Sequence, residues 1–179
     1  VTHLMTVAEG WYDYIAPGTW PDCDMIPLGH IAIRGERGED RMTRLTPDEQ
    51  YSLMTFFTIV KSPLMYGGDL PTMDPFTLSL LTNEEVLKMH RNGTEVHSIL
   101  HTDTQVGVTS WDPESGSVYL ALFNIGNEAD EEFEIELSSI GISGEVGATD
   151  LWKGESERVN SLYKTVLAPH ACRLIKFDK

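Results

Sequence analysis

His97 and His101, spaced i and i+4, are the residues of this 179-residue chain whose types and spacing would suit a metal if they stood on a helix. No third ligand accompanies them and the segment leads into strands, so no metal is expected there. Acidic residues gather from Glu128 to Glu136, where Glu132, Glu134 and Glu136 alternate. That spacing fits the solvent face of a strand better than a cation site. Cys23 and Cys172 are far apart in sequence and are expected to be free thiols. Asn92-Gly93-Thr94 is a formal glycosylation sequon. The remaining run with chemical potential is Trp20-Pro21-Asp22-Cys23-Asp24-Met25, with two carboxylates, a thiol and a thioether.

That run is too short and too proline-bounded for a helix, and predicts a short strand passing into a loop. Before it, Leu4, Met5, Val7, Trp11, Tyr12 and Ile15 recur at spacings of three and four, predicting a helix over residues 1–15. After it, residues 29–45 form a polar connection of a length that is more often functional or mobile than accidental. Thr46-Pro47-Asp48-Glu49 combines an N-cap, a proline for the first helical position and a glutamate that reaches back to the cap. A helix to about Lys61 follows, apolar on more than one side, as for a helix covered by two layers. Leu64-Met65-Tyr66 predicts a brief buried strand closed by Gly67-Gly68-Asp69. Two helices then start at Asp74-Pro75 and Thr82-Asn83, the second ending near His90.

Helix, strand, helix, strand, helix is the alternation of a parallel α/β layer. Past Arg91-Asn92-Gly93 the pattern changes to short period-two strands at residues 106–111, 117–124, 131–137, 144–151, 163–167 and 171–177. Turn signals such as Asp112-Pro113 and Ala168-Pro169-His170 separate them, predicting an antiparallel sandwich. The boundary falls near residue 93, and no internal repeat is evident.

The composition, 41% hydrophobic and 23% charged, is that of a globular protein. Thirteen Lys and Arg against 28 Asp and Glu give a formal charge of -15, which repels phosphate backbones and anionic lipid surfaces. Nucleic acid and membrane are therefore not expected partners, and no run of about 18 apolar residues exists to span a bilayer. Val1 opens directly on an amphipathic stretch, without an initiating Met or a signal-peptide layout, and reads as cut into a longer chain.

Gly18-Thr19-Trp20-Pro21-Asp22-Cys23-Asp24-Met25-Ile26-Pro27-Leu28-Gly29, the helix entry at Arg44 to Gln50, Ser62-Pro63-Leu64-Met65 and Gly68-Asp69-Leu70 occur in that order. Together they resemble the seventh and eighth strand-helix units of glycoside hydrolase family twenty-seven, the α-galactosidase (melibiase) and α-N-acetylgalactosaminidase family. Asp150-Leu151-Trp152-Lys153-Gly154 and Val166-Leu167-Ala168-Pro169-His170 resemble its closing β domain. The resemblance covers nearly the whole chain. It implies an α/β plus all-β fold: residues 1–93 as the last strand-helix units of a (β/α)8 TIM barrel, and 94–179 as a C-terminal antiparallel β-sandwich.

Such enzymes are retaining glycosidases that remove terminal α-D-galactosides with two carboxylates about 5 Å apart. Neither carboxylate has a match here, so the resemblance implies no catalytic residue in this chain, no cofactor and no metal. The rest of the barrel is expected from upstream sequence, and an extracytoplasmic, secreted or periplasmic, location is implied. Asp24 and Met25 match positions that touch the bound sugar: an ionised Asp accepts strongly from hydroxyls, and a thioether can lie on the ring's apolar face. The alternatives are a turn role for Asp24 and core packing for Met25. Asp22 is expected to orient the loop or a neighbouring strand rather than touch the sugar, and Trp20 to pack in the barrel or form a wall behind the pocket. Cys23 stands where relatives carry a small residue or proline, and packing is the expected role. The 29–45 loop is longer than in animal and plant relatives, and its His30, Arg34, Glu36 and Arg37 could shape subsites for the aglycone or simply carry surface ion pairs. Hydrolysis of α-linked N-acetylgalactosamine or β-linked L-arabinopyranose, and a non-catalytic carbohydrate-binding or scaffold role, remain open alternatives.

Overall fold

A computed structural model describes residues 2–35 and 38–178; Glu36 and Arg37, raised above as aglycone contacts, lie outside the described residues. Four helices come first: α1 (Thr2–Glu9), α2 (Pro47–Ile59), α3 (Pro75–Leu81) and α4 (Glu84–Asn92). A small hairpin of β1 (His30–Ile31) and β2 (Arg41–Met42) lies between α1 and α2. Eight strands follow: β3 (Thr94–His101), β4 (Gln105–Trp111), β5 (Val118–Asn124), β6 (Glu131–Glu136), β7 (Glu145–Asp150), β8 (Ser156–Asn160), β9 (Leu162–Leu167) and β10 (Cys172–Asp178).

The strands make a six-stranded antiparallel sheet in the order β3-β4-β5-β10-β7-β8, and β6 pairs with β9 in a second, two-stranded sheet. Most of the regular secondary structure is thus antiparallel sheet, with a few helices. In β5 the two side-chain sets face different cores. Val118, Leu120 and Leu122 join Phe133, Ile135, Tyr163 and Phe177 between the sheets. Tyr119, Ala121 and Phe123 join Met54, Phe56 and Val60 of the helical layer. A strand buried on both faces reads as a continuous apolar run, which is why β5 departs from the period-two pattern expected of it.

α2 is the element shared by both layers. Its start is the capping box read from the sequence: Glu49 N–H donates to Thr46 Oγ1 at 3.3 Å and Thr46 N–H donates back to Glu49 Oε2 at 2.7 Å. Nine of its residues are buried, including the polar Ser52, Thr55 and Thr58. Each of these three hydroxyls has a partner: Ser52 donates to His170 O, Thr58 to Met54 O, and Thr55 accepts the Trp152 indole N–H at 2.7 Å. Through Ser52 and Thr55 the helix therefore meets the turns that follow β9 and β7 by satisfied polar contacts as well as apolar ones.

Three expectations need correction. The first helix stops at Glu9, and a separate 3-10 turn covers Tyr12–Tyr14, because Gly10 follows the last helical residue and supports no continuation. The strands expected within 19–28 and 64–66 shrink to one parallel bridge, Ile26 to Tyr66, where Ile26 N–H donates to Met65 O at 2.8 Å and Gly67 N–H to Ile26 O at 2.9 Å. Besides the short β1–β2 hairpin, two sandwich strands went unread: β3, whose bulges between Thr94 and His97 and between Ser98 and Leu100 break its alternation, and the exposed, polar β8. No helix among the described residues is long and apolar enough to cross a membrane.

Candidate functional site

The run from Asp22 to Ile26 alternates outward and inward in an irregular way that local hydrogen bonds explain. Cys23 is buried and its N–H donates to Ser62 Oγ at 3.0 Å, tying the run to the start of the neighbouring segment. Asp24 then adopts φ +71, a left-handed conformation that Asp tolerates better than most residues. Asp22 Oδ1 accepts the Asp24 N–H at 2.9 Å, and Asp24 Oδ1 accepts the Met25 N–H at 2.7 Å. Asp22 thus holds the turn, Asp24 faces solvent, and its Oδ2 has no partner among the described residues. The turn role that the sequence left open for Asp24 occupies one of its oxygens only.

Met25 is half exposed and its thioether lies over the backbone of Gly67. Beside it, a cavity of about 440 Å³ is lined by His30, Ile31, Ile33, Arg34, Gly67 and Asp69 among others. The β1–β2 hairpin, unforeseen in the 29–45 connection, forms one wall. His30 anchors it: Nδ1 meets Thr72 Oγ1 at 2.7 Å, Nε2 meets Asp40 Oδ1, and Thr72 donates to Asp69 Oδ2 at 2.6 Å. Asp69 N–H donates to His30 O at 2.7 Å, closing the hairpin onto the Gly67–Asp69 turn. Asp40, Thr72 and Gly67 were missed in the sequence because each reads there as an ordinary loop or turn residue; their partners are 10 to 42 residues away.

Trp20 lies elsewhere. It is half exposed rather than core-packed and lines a larger cavity of about 740 Å³ with Tyr12, Ile15, Lys61, His90 and Val96. Near it the Lys61 ammonium caps the end of α4 through His90 O and Arg91 O, and burial lowers its pKa. The His90 ring bonds Ser62 O at 2.9 Å, and burial likewise pulls its pKa down.

The other chemical candidates have structural roles. His101 pairs with Glu9 of α1, while His97 is exposed on a different register of bulged β3. No group of three His, Cys, Asp or Glu able to hold a metal occurs among the described residues. Glu132, Glu134 and Glu136 lie on the solvent face of β6 opposite buried Phe133 and Ile135, and Glu134 pairs with Lys164 across the ladder. Cys23 and Cys172 are both free; burial raises the first thiol and pushes the second up to about 11. The Asn92 amide donates to Glu114 Oε2 at 3.0 Å.

Residues 103–177 match the family model described as the alpha galactosidase C-terminal beta sandwich domain. Among curated proteins, alpha-galactosidase D of Emericella nidulans is 27% identical over 168 residues, which is 92% of this chain and 24% of that enzyme. Two solved structures match almost throughout. A GH27 β-L-arabinopyranosidase from Geobacillus stearothermophilus superposes with TM-score 0.93 and 40% identity over 99% of this chain and 41% of its own. A putative α-N-acetylgalactosaminidase from Bacillus halodurans gives 0.90 and 32%, over 98% of this chain and 43% of its own. The chain therefore spans between about a quarter and a half of the relatives it matches.

Proposed function

Taking as premise that the chain is the C-terminal part of an α-galactosidase-like protein of glycoside hydrolase family 27, we propose that residues 1–93 complete a (β/α)8 barrel and supply one wall of its sugar pocket. Residues 94–179 form the sandwich domain behind it. The complete enzyme removes terminal α-D-galactosyl groups with retention. One carboxylate attacks the anomeric carbon while a second protonates the leaving oxygen and then activates water. Both would come from sequence outside these 179 residues, so the chain alone is inactive.

Asp24 carries this reading. Its left-handed backbone sets a carboxylate at the open end of the Ile26–Tyr66 bridge, with one oxygen fixing the turn and the other free for sugar hydroxyls. A parallel bridge between neighbouring segments joined through a helix is what two adjacent barrel strands produce, and sites in such barrels lie at the ends of the strands. Met25 offers the ring its thioether, and the cavity beside Gly67 has room for the leaving group. Asp22 positions Asp24; Trp20 lines a wall away from the sugar.

One observation favours a second reading of the sugar: the structure 40% identical to this chain is described as a β-L-arabinopyranosidase. That sugar shares the ring configuration of α-D-galactose and lacks its hydroxymethyl group, so the two reactions use the same pocket with different room at one carbon. The test is turnover of paired aryl glycosides by the complete enzyme and by the 179-residue chain. The α-galactosidase reading requires the complete enzyme to favour the α-D-galactoside and the chain alone to turn over neither. A higher kcat/KM on the β-L-arabinopyranoside replaces it with the second reading. Turnover by the chain alone contradicts the proposal that the catalytic pair lies elsewhere.

A further inference from the structure

The two sheets of the sandwich are unequal, and the mismatch leaves part of the larger one uncovered. β6 and β9 roof the core over β5, β10 and β7, but at the β3–β4 end only the turn at 137–141 approaches. The gap is a cleft of about 490 Å³, within the range of roughly 300–1,000 Å³ usual for small-ligand sites. Its floor is Trp111 of β4, half-buried against the inter-sheet core, with Ile99 of β3 beside it. Around them stand Glu95, His97, Thr109 and Ser139. Asp24 and Met25 do not line it.

Three features distinguish this cleft from a mere packing defect. The Trp111 indole N–H, the Glu95 carboxylate and the His97 ring make no hydrogen bond among the described residues, and Glu95 and His97 are exposed, so polar groups open to a ligand stand around an aromatic surface. Glu95 is held at φ +51 on the β3 bulge, a conformation unfavourable for Glu, at a position that lines the cleft. The mixture of one aromatic ring, one carboxylate, one imidazole and hydroxyls matches a polyhydroxylated ring, which has an apolar C–H face and a rim of groups that both donate and accept. A single carboxylate and a single imidazole are too few for a metal. A formal charge of -15, with Glu95 at the rim, disfavours an anionic ligand.

We propose that the Trp111 cleft is an accessory saccharide site for a neutral, galactose-bearing glycan. Trp111 stacks on a sugar ring while Glu95 and His97 hold its hydroxyls. The inference rests on the glycan-hydrolase reading above, and its role would be to retain polymeric substrate rather than to take part in bond cleavage.

The test uses the complete enzyme, with galactomannan as the polymeric probe and an aryl α-galactoside as the small one. Galactomannan retention is read by affinity electrophoresis for the parent, Trp111→Phe and Glu95→Gln. Because Trp111 also packs on the core, Glu95→Gln, which changes no packing, keeps the test decisive if the first variant folds poorly. The proposal requires at least a fivefold loss of retention in Glu95→Gln, and in Trp111→Phe if folded, with kcat/KM on the aryl galactoside unchanged within twofold. Parent enzyme that is not retained, or variants retained as well as the parent, would overturn it. So would a shift in oligomeric state with retention unchanged, which would make the cleft a contact between copies. Aryl-galactoside turnover by the parent reports on the proposed function separately, so the two can fail independently.

Discussion

Met25 Sδ lies 2.8 Å from the point where a Cβ on Gly67 would stand, so the thioether occupies the space that a side chain at position 67 would need. At the next residue the obstacle is different. A Cβ on Gly68 would stand 2.4 Å from the Leu28 carbonyl oxygen and 2.3 Å from Tyr66 Oη. A flexible thioether can move aside at little cost, whereas a backbone carbonyl cannot. In the complete enzyme Gly67→Ala is therefore expected to lower kcat/KM about tenfold while shifting the melting temperature by only a few degrees. Gly68→Ala should instead cost roughly 1–3 kcal/mol of stability. Melting curves and kinetics on the two variants check this, and equal behaviour would separate Met25 from the sugar.

Stability should fall in two stages on acidification. Burial depresses the pKa of His90, so the unfolded chain binds a proton that the folded one refuses. The stability contributed by neutral His90 is complete above the unfolded value of about 6.5 and is lost as pH falls below it. Asp74, whose carboxyl is held low by the Thr77 hydroxyl and N–H at the start of α3, contributes above its ordinary carboxylate range and loses that contribution as pH falls through it. Chemical denaturation across this range tests the assignment: His90→Gln should remove the first stage and leave the second, and an unchanged first stage would move its origin to another group.

Both thiols should be slow to react in the folded protein. Cys23 and Cys172 are shifted upward chiefly by burial, which leaves little thiolate at pH 8. A colorimetric thiol reagent should label less than one equivalent over minutes in buffer and two equivalents in denaturant. Rapid native labelling of Cys23 would place it on an accessible pocket surface instead of in packing.

The start of α2 was legible residue by residue, since a capping box is a local pattern and Thr46, Pro47 and Glu49 form it without distant help. The sandwich strands were legible for the same reason, except where bulges broke the period of β3 or polarity hid β8. The candidate site was only half visible. Asp24 and Met25 stood out through their resemblance to a known motif, but the hairpin wall depends on His30 meeting Thr72 and Asp40, contacts set by tertiary geometry. For Trp20 the sequence left packing and a pocket wall both open, because one Trp beside a strand carries no signal of which side it faces; in the structure it is half exposed and lines the cavity shared with Tyr12, Lys61 and His90.

The central claim is that Asp24 holds the sugar, and Asp24→Asn in the complete enzyme tests it most directly. Asn also tolerates the left-handed backbone at φ +71 and keeps an oxygen for the Met25 N–H, so the turn should survive. What is lost is the negative charge, and charge-assisted hydrogen bonds are worth roughly 1.5–3 kcal/mol. The account predicts a fall in kcat/KM of about one to two orders of magnitude with the melting temperature nearly unchanged. Unchanged kinetics per folded molecule together with a lower melting temperature would contradict it and assign Asp24 to the scaffold.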